Sequence, residues 1–143
     1  MDDRAVRTHI YEAFVATGKP PTTRSAADSL SISPAEAAAA FRRLADEHEI
    51  ALLPGTDEVW MAHPFSGVPT DYLVEAKDGR RWWANCAWDA VAIPGLVGDC
   101  TVHATLADGE PFQVMVTDGT VSPEHVIHFQ VPARNFWDDI GST

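Results

Sequence analysis

Cys86 and Asp89 stand three residues apart in the run Arg80-Arg81-Trp82-Trp83-Ala84-Asn85-Cys86-Ala87-Trp88-Asp89-Ala90. On a helix that spacing puts a thiol and a carboxyl on one face, a soft nucleophile beside a proton donor. Cys86 falls where a strand-like run hands over to a helix-like one. Unpaired backbone N–H groups and the positive end of the helix dipole would then favour its thiolate. Trp82, Trp83 and Trp88 are expected to form an apolar substrate pocket. Burial among such rings raises a carboxyl pKa and would keep a proton on Asp89 near neutral pH. Spacing alone does not single out this chemistry, because a buried cysteine beside a helix-capping aspartate is the commoner arrangement.

The elements that must position these groups fall into two parts. Residues 4–17 bring Val6, Ile10, Phe14 and Val15 near one helical face, and Gly18-Lys19-Pro20-Pro21 ends that helix. Residues 25–30 read as a short second helix. Ser33-Pro34-Ala35-Glu36 is a capping box with Pro at the first helical position, and it predicts a third helix to about Glu47 with Ala37, Ala40, Phe41 and Leu44 inward. Residues 50–53 and 58–62 flank Pro54-Gly55-Thr56-Asp57, a hairpin signal. Three helices and a hairpin predict a winged-helix-like N-terminal domain over 1–62. His63-Pro64-Phe65-Ser66-Gly67-Val68-Pro69 reads as a linker or crossing loop. Beyond it, over 63–143, hairpins are expected at Asp78-Gly79 and Asp108-Gly109, with a turn at Asp118-Gly119. One or two helical turns are expected over 86–93, a strand over 126–131, and a short helix from Pro132 to Ile140 carrying Phe136 and Trp137. The fold class is α+β: the three-helix unit, then a mixed, mostly antiparallel sheet domain.

Composition bounds the function. Among 143 residues, 45% are hydrophobic, enough for a core. Ten Lys+Arg against 21 Asp+Glu leave a net charge of -11, so no overall field draws nucleic acid or an anionic membrane. No apolar run is long enough to span a bilayer, and Met1-Asp2-Asp3-Arg4 lacks a signal-peptide start, so a cytoplasmic location is expected. Two cysteines, Cys86 and Cys100, are too few for a disulfide framework or a four-thiolate zinc site.

Several features taken together resemble one family. Cys86-Ala87-Trp88-Asp89-Ala90, the downstream Ile93-Pro94-Gly95-Leu96-Val97-Gly98 and the preceding winged-helix-like segment are similar to alkylmercury lyase, the organomercurial lyase of bacterial mercury resistance. The segment from Val126 to Ile140 resembles the later part of that family. The likeness is weak over 1–62 and best over 64–140. It implies an α+β fold of the alkylmercury lyase type and protonolysis of a carbon–mercury bond to hydrocarbon and Hg(II). In the family two thiols and one Asp do this work. Cys86 matches the mercury-binding thiol and Asp89 the proton shuttle; the mercury is substrate and product, and no resident cofactor is implied. Mercury's preference for thiolate over oxygen or nitrogen ligands agrees. Small-molecule thiols would act as co-reactants, with hand-over of Hg(II) to thiols or to a mercury reductase.

The resemblance places the second thiol just after the segment matching 126–140, about where the chain reaches Thr143. Cys100 is the other thiol, and no family motif puts the catalytic partner there. Three expectations stand side by side: a chain that ends early, a following codon read as selenocysteine, or a divergent member with another task.

Other classes remain in view. A non-catalytic soft-metal or ligand-binding module would also keep Cys86. A winged-helix DNA-binding regulator would use residues 34–47, but there Arg42 and Arg43 are set among Glu36, Asp46 and Glu47, a poor phosphate-binding face. His9, His48, His63, His103, His125 and His128 read as scattered surface or core residues. Cys100/His103 and His125/His128 are three apart on strand-like runs and so would point to opposite faces.

Overall fold

The structure is a computed structural model, and it describes residues 2–142. Met1 and Thr143 lie outside the described residues.

Three helices come first: α1 (Asp3–Thr17), α2 (Thr23–Leu30) and α3 (Pro34–Asp46). Each begins on a side chain that accepts from an unpaired amide: Asp2 from Arg4 N, Thr22 from Ser25 N and Ser33 from Glu36 N. At α3 the capping box closes both ways, since Glu36 also accepts from the Ser33 amide at 2.8 Å. Val6, Ile10 and Phe14 recur every four residues along α1 and are buried. The α1 helix stops at Gly18, whose φ of 75° is left-handed and whose N–H reaches Phe14 O. An alanine there would also drive its Cβ into the Arg81 carbonyl, so the close approach of α1 to the sheet requires glycine.

The strands β1 (Ala51–Leu52), β2 (Val59–Ala62), β3 (Phe65–Ser66), β4 (Tyr72–Ala76), β5 (Arg81–Ala84), β6 (Cys100–Thr105), β7 (Pro111–Thr117) and β8 (Thr120–Ser122) form one sheet in the order β1-β2-β3-β5-β4-β6-β7-β8. Its ladders are all antiparallel among the described residues. Two short helices, α4 (Ala87–Ala92) and α5 (Pro94–Val97), follow β5. The α+β class is therefore as expected, with helices followed by an antiparallel sheet. The expected boundary at 62–63 falls between β2 and β3, which are hydrogen-bonded neighbours, so one sheet runs across it.

The pleat sorts the sheet into two faces. Trp82, Val74, Val102 and Val114 lie opposite one another across β5, β4, β6 and β7, and all are buried. Phe14 of α1 stacks on Phe65 of β3 at 5.3 Å, and the Trp82 indole N–H donates to Phe14 O at 2.8 Å. That bond satisfies the one polar atom of a fully buried ring. The opposite face carries Glu75, Arg81 and His103, with Glu75 and Arg81 paired at 2.6 Å. Helix α4 packs against β4, β5 and β6 and buries Ala90.

Two expected elements differ. Phe65-Ser66, expected in a linker, is a strand, because both side chains are buried and pair β2 with β5. Residues 126–131 are not a strand. Pro123 removes a backbone donor just after β8, the chain leaves the sheet, and Val126 is 91% exposed. This segment continues into two 3₁₀ turns, Ala133–Asp138 and Ile140–Ser142. Gly141 lies against the Trp60 ring.

Candidate active site

Pairing of β3 with β5 puts Phe65 opposite Ala84. The residues just outside that pair, His63-Pro64 and Asn85-Cys86, therefore meet at one end of the sheet. Asn85 N donates to Pro64 O at 3.4 Å, joining the two turns. The α4 helix starts at once from Cys86, which has extended backbone at the N-cap position, and Asp89 sits in its first turn. The short strand β5 and the helix it feeds thus deliver thiol and carboxyl to the same place.

That place is the floor of a cavity of about 240 Å³. Cys86, Asp89, His63 and Asn85 form its polar end. Met61, Trp88, Phe129, Phe136, Trp137 and Ile140 supply the apolar walls. Cys86 is half-buried, and Asp89 is 8% exposed. Asp89 Oδ2 lies 3.0 Å from His63 Nδ1 and accepts from Asn85 Nδ2 at 3.3 Å. Asn85 Nδ2 also donates to Phe65 O at 3.0 Å, while Asn85 Oδ1 is buried without a hydrogen-bond partner. His63 is held in turn by Tyr11 of α1, whose hydroxyl donates to His63 O at 2.9 Å. Trp137 stacks on His48 at 4.2 Å and meets the His63 ring edge-on at 6.2 Å.

Two opposing effects act on the Cys86 thiol. Burial pushes its pKa up, and the Asp89 carboxylate pushes it further. The backbone N–H groups of Asp89 and Trp88 pull it down. Burial wins, so the thiol lies above its ordinary range, the reverse of the thiolate expected from a helix N-terminus. The physical reason is that α4 is only six residues long and the sulfur is out of water.

The three tryptophans part company. Trp88 lines the cavity and is 60% exposed at its mouth. Trp82 is buried under α1, and Trp83 points from the other face of β5, so neither lines this cavity. The aromatic wall comes instead from Trp88, Phe129, Phe136 and Trp137. Cys100 is buried on the inner sheet face, with its thiol donating to Gly98 O at 3.2 Å, and is not a wall of the cavity. Among the described residues no cluster of three His, Cys, Asp or Glu side chains could hold a metal ion.

His63, Asn85 and Trp137 are site residues that sequence reasoning did not single out. Reading Phe65-Ser66 as a strand would have exposed His63, since its register then lies beside Asn85 and Cys86.

The family model described as alkylmercury lyase (MerB) matches residues 65–143. A solved structure titled as the mercury-bound form of MerB2 superposes with a TM-score of 0.63 at 24% identity, covering 84% of this chain and 57% of that chain. At that identity the likeness speaks for the fold. The chain thus spans a little over half the length of that structure. No curated protein matches.

Proposed function

The chain belongs to the alkylmercury lyase family, and on that premise we propose that it cleaves the carbon–mercury bond of organomercurials, with Cys86 as mercury ligand and Asp89 as proton carrier. The observation that carries this reading is the pairing of a half-buried thiol and a buried carboxyl at the floor of a cavity with apolar walls. An organomercurial has the matching polarity, a soft cation at one end and a hydrocarbon at the other.

The steps balance with one protein thiol. Cys86 Sγ bonds to the mercury of R–Hg⁺, and its proton passes to the Asp89 carboxylate. Asp89 returns that proton to carbon as the carbon–mercury bond breaks. The net change is R–Hg⁺ plus Cys86–SH giving R–H plus Cys86–S–Hg⁺. A raised thiol pKa suits this order, because the sulfur enters the reaction still carrying the proton that carbon needs. An exposed rim at Trp88 leaves an approach for a small-molecule thiol to take the Hg(II) away. Hand-over to a mercury reductase is the corresponding proposal for a protein partner.

The test is hydrocarbon release from phenylmercury acetate in excess small thiol. Cys86→Ser should lose both mercury capture and cleavage. Asp89→Ala should keep capture and lose cleavage by about 10²–10⁴-fold, the usual worth of a positioned acid. Equal loss of both in Asp89→Ala would contradict the two roles.

A second reading has one observation in its favour: among the described residues Cys86 is the only thiol on the cavity wall. A soft-metal-binding module would need no more. Stoichiometric capture of phenylmercury by Cys86 with no benzene released would establish that module instead.

A further inference from the structure

We propose that His63 is a positioning residue for Asp89: its Nδ1–H holds Oδ2 of the carboxylate, so that the other oxygen is presented to the sulfur and to the carbon that receives the proton. This rests on the lyase reading above for its kinetic part.

The proton on Nδ1 follows from counting donors. Asn85 Nδ2 carries two hydrogens, and two acceptors surround it, Phe65 O at 3.0 Å and Asp89 Oδ2 at 3.3 Å. His63 Nδ1 lies 3.3 Å from the same nitrogen, and when both hydrogens go to the two oxygens none is left for it. The proposed reaction starts from Asp89 as a carboxylate, whose oxygens only accept, and in that state the 3.0 Å contact between Nδ1 and Oδ2 needs its hydrogen on the histidine.

His63 is built to hold still. It sits in the turn between β2 and β3, its carbonyl is tied to Tyr11 of α1, and its ring is edge-on to Trp137. Three separate elements therefore fix one imidazole. Both side-chain donors to Asp89, from His63 and Asn85, converge on Oδ2. The carboxylate is thereby held against rotation about its own axis, and Oδ1 is the oxygen left for proton transfer. Orientation of this kind governs the rate of the chemical step and leaves substrate capture to the sulfur.

The experiment compares wild type, His63→Ala and His63→Asn. Asparagine places an amide N–H close to the position of Nδ1. With phenylmercury acetate, His63→Ala should lower kcat by about 10–100-fold with KM and stoichiometric mercury capture unchanged, the usual effect of losing an orienting partner. His63→Asn should recover a large part of that loss, which a merely structural role would not allow. In parallel, the imidazole ¹⁵N shifts of wild type at neutral pH should show Nδ1–H, reverting to the usual Nε2–H form in Asp89→Ala. An unchanged kcat in His63→Ala, a loss of mercury capture that would make His63 a ligand, no recovery in His63→Asn, or Nε2–H in wild type would each overturn the proposal. If wild type releases no benzene, the lyase reading falls, and the ring tautomer alone decides whether His63 holds Asp89.

Discussion

At Cys86 the balance of burial against backbone dipoles has a measurable sign. The thiol pKa is raised, so the sulfur is protonated at neutral pH and ionises only above the roughly 8.5 of a free thiol. Alkylation of Cys86 by iodoacetamide, followed on its own peptide, should therefore rise with pH to a midpoint above that of a free thiol. Asp89→Asn should move the midpoint down, because the carboxylate's charge and hydrogen bond both favour the protonated thiol. A wild-type midpoint below the ordinary value would mean that the α4 amides dominate. Linkage gives the matching stability effect. A thiol raised in the folded state contributes nothing unfavourable below the unfolded pKa. As pH rises above about 8.5, the unfolded chain ionises first and the folded state loses stability. The identity of Cys86 and Asp89 as a pair was legible from their spacing. His63 was not, because its partner lies 26 residues away and only strand register brings them together.

Among the elements, the contact between α1 and β5 sets how the helical unit sits on the sheet. Gly18 makes it possible, and Gly55 provides the control. Both have positive φ, at 75° and 72°, but a Cβ at Gly55 meets open space while one at Gly18 meets the Arg81 carbonyl. Gly55→Ala should cost about 1–2 kcal/mol of stability, the strain of a left-handed backbone alone. Gly18→Ala should cost clearly more in urea unfolding; equal losses would show that the helix end has room to shift. The helix caps were readable because capping is local: Ser33 and Glu36 close their box over three residues. The third strand was hidden because Pro64 and Gly67 flank only two residues, and a two-residue strand has no period to read. The same limit misled for 126–131, where an apolar run has the composition of a strand but no neighbour to pair with.

For the molecule as a whole, charge decides what α3 can do. Its two arginines are already engaged: Arg42 forks onto Asp57 through two bonds of 2.7 Å, and Arg43 onto Asp3 at 2.6 and 2.8 Å. Exposed pairs of this kind are each worth little in stability. They nonetheless occupy the donors that phosphates would need, on a chain of net charge -11. Titration with duplex DNA at low and moderate salt should show no salt-dependent complex; tight binding that weakens steeply with salt would restore the regulator reading. No helix among the described residues is long and apolar enough to cross a membrane. The amino-acid sequence by itself determined the helices with their caps, the longer hairpins, the α+β class and the Cys86–Asp89 pair, because each is written in residues close together along the chain. Only the tertiary structure decided that β3 joins the helical part to the sheet, that Trp82 and Trp83 leave the site while Phe136 and Trp137 enter it, and that His63 and Asn85 grip the carboxylate. Those outcomes depend on register and on which face of a strand is covered, and these are settled by packing between distant segments.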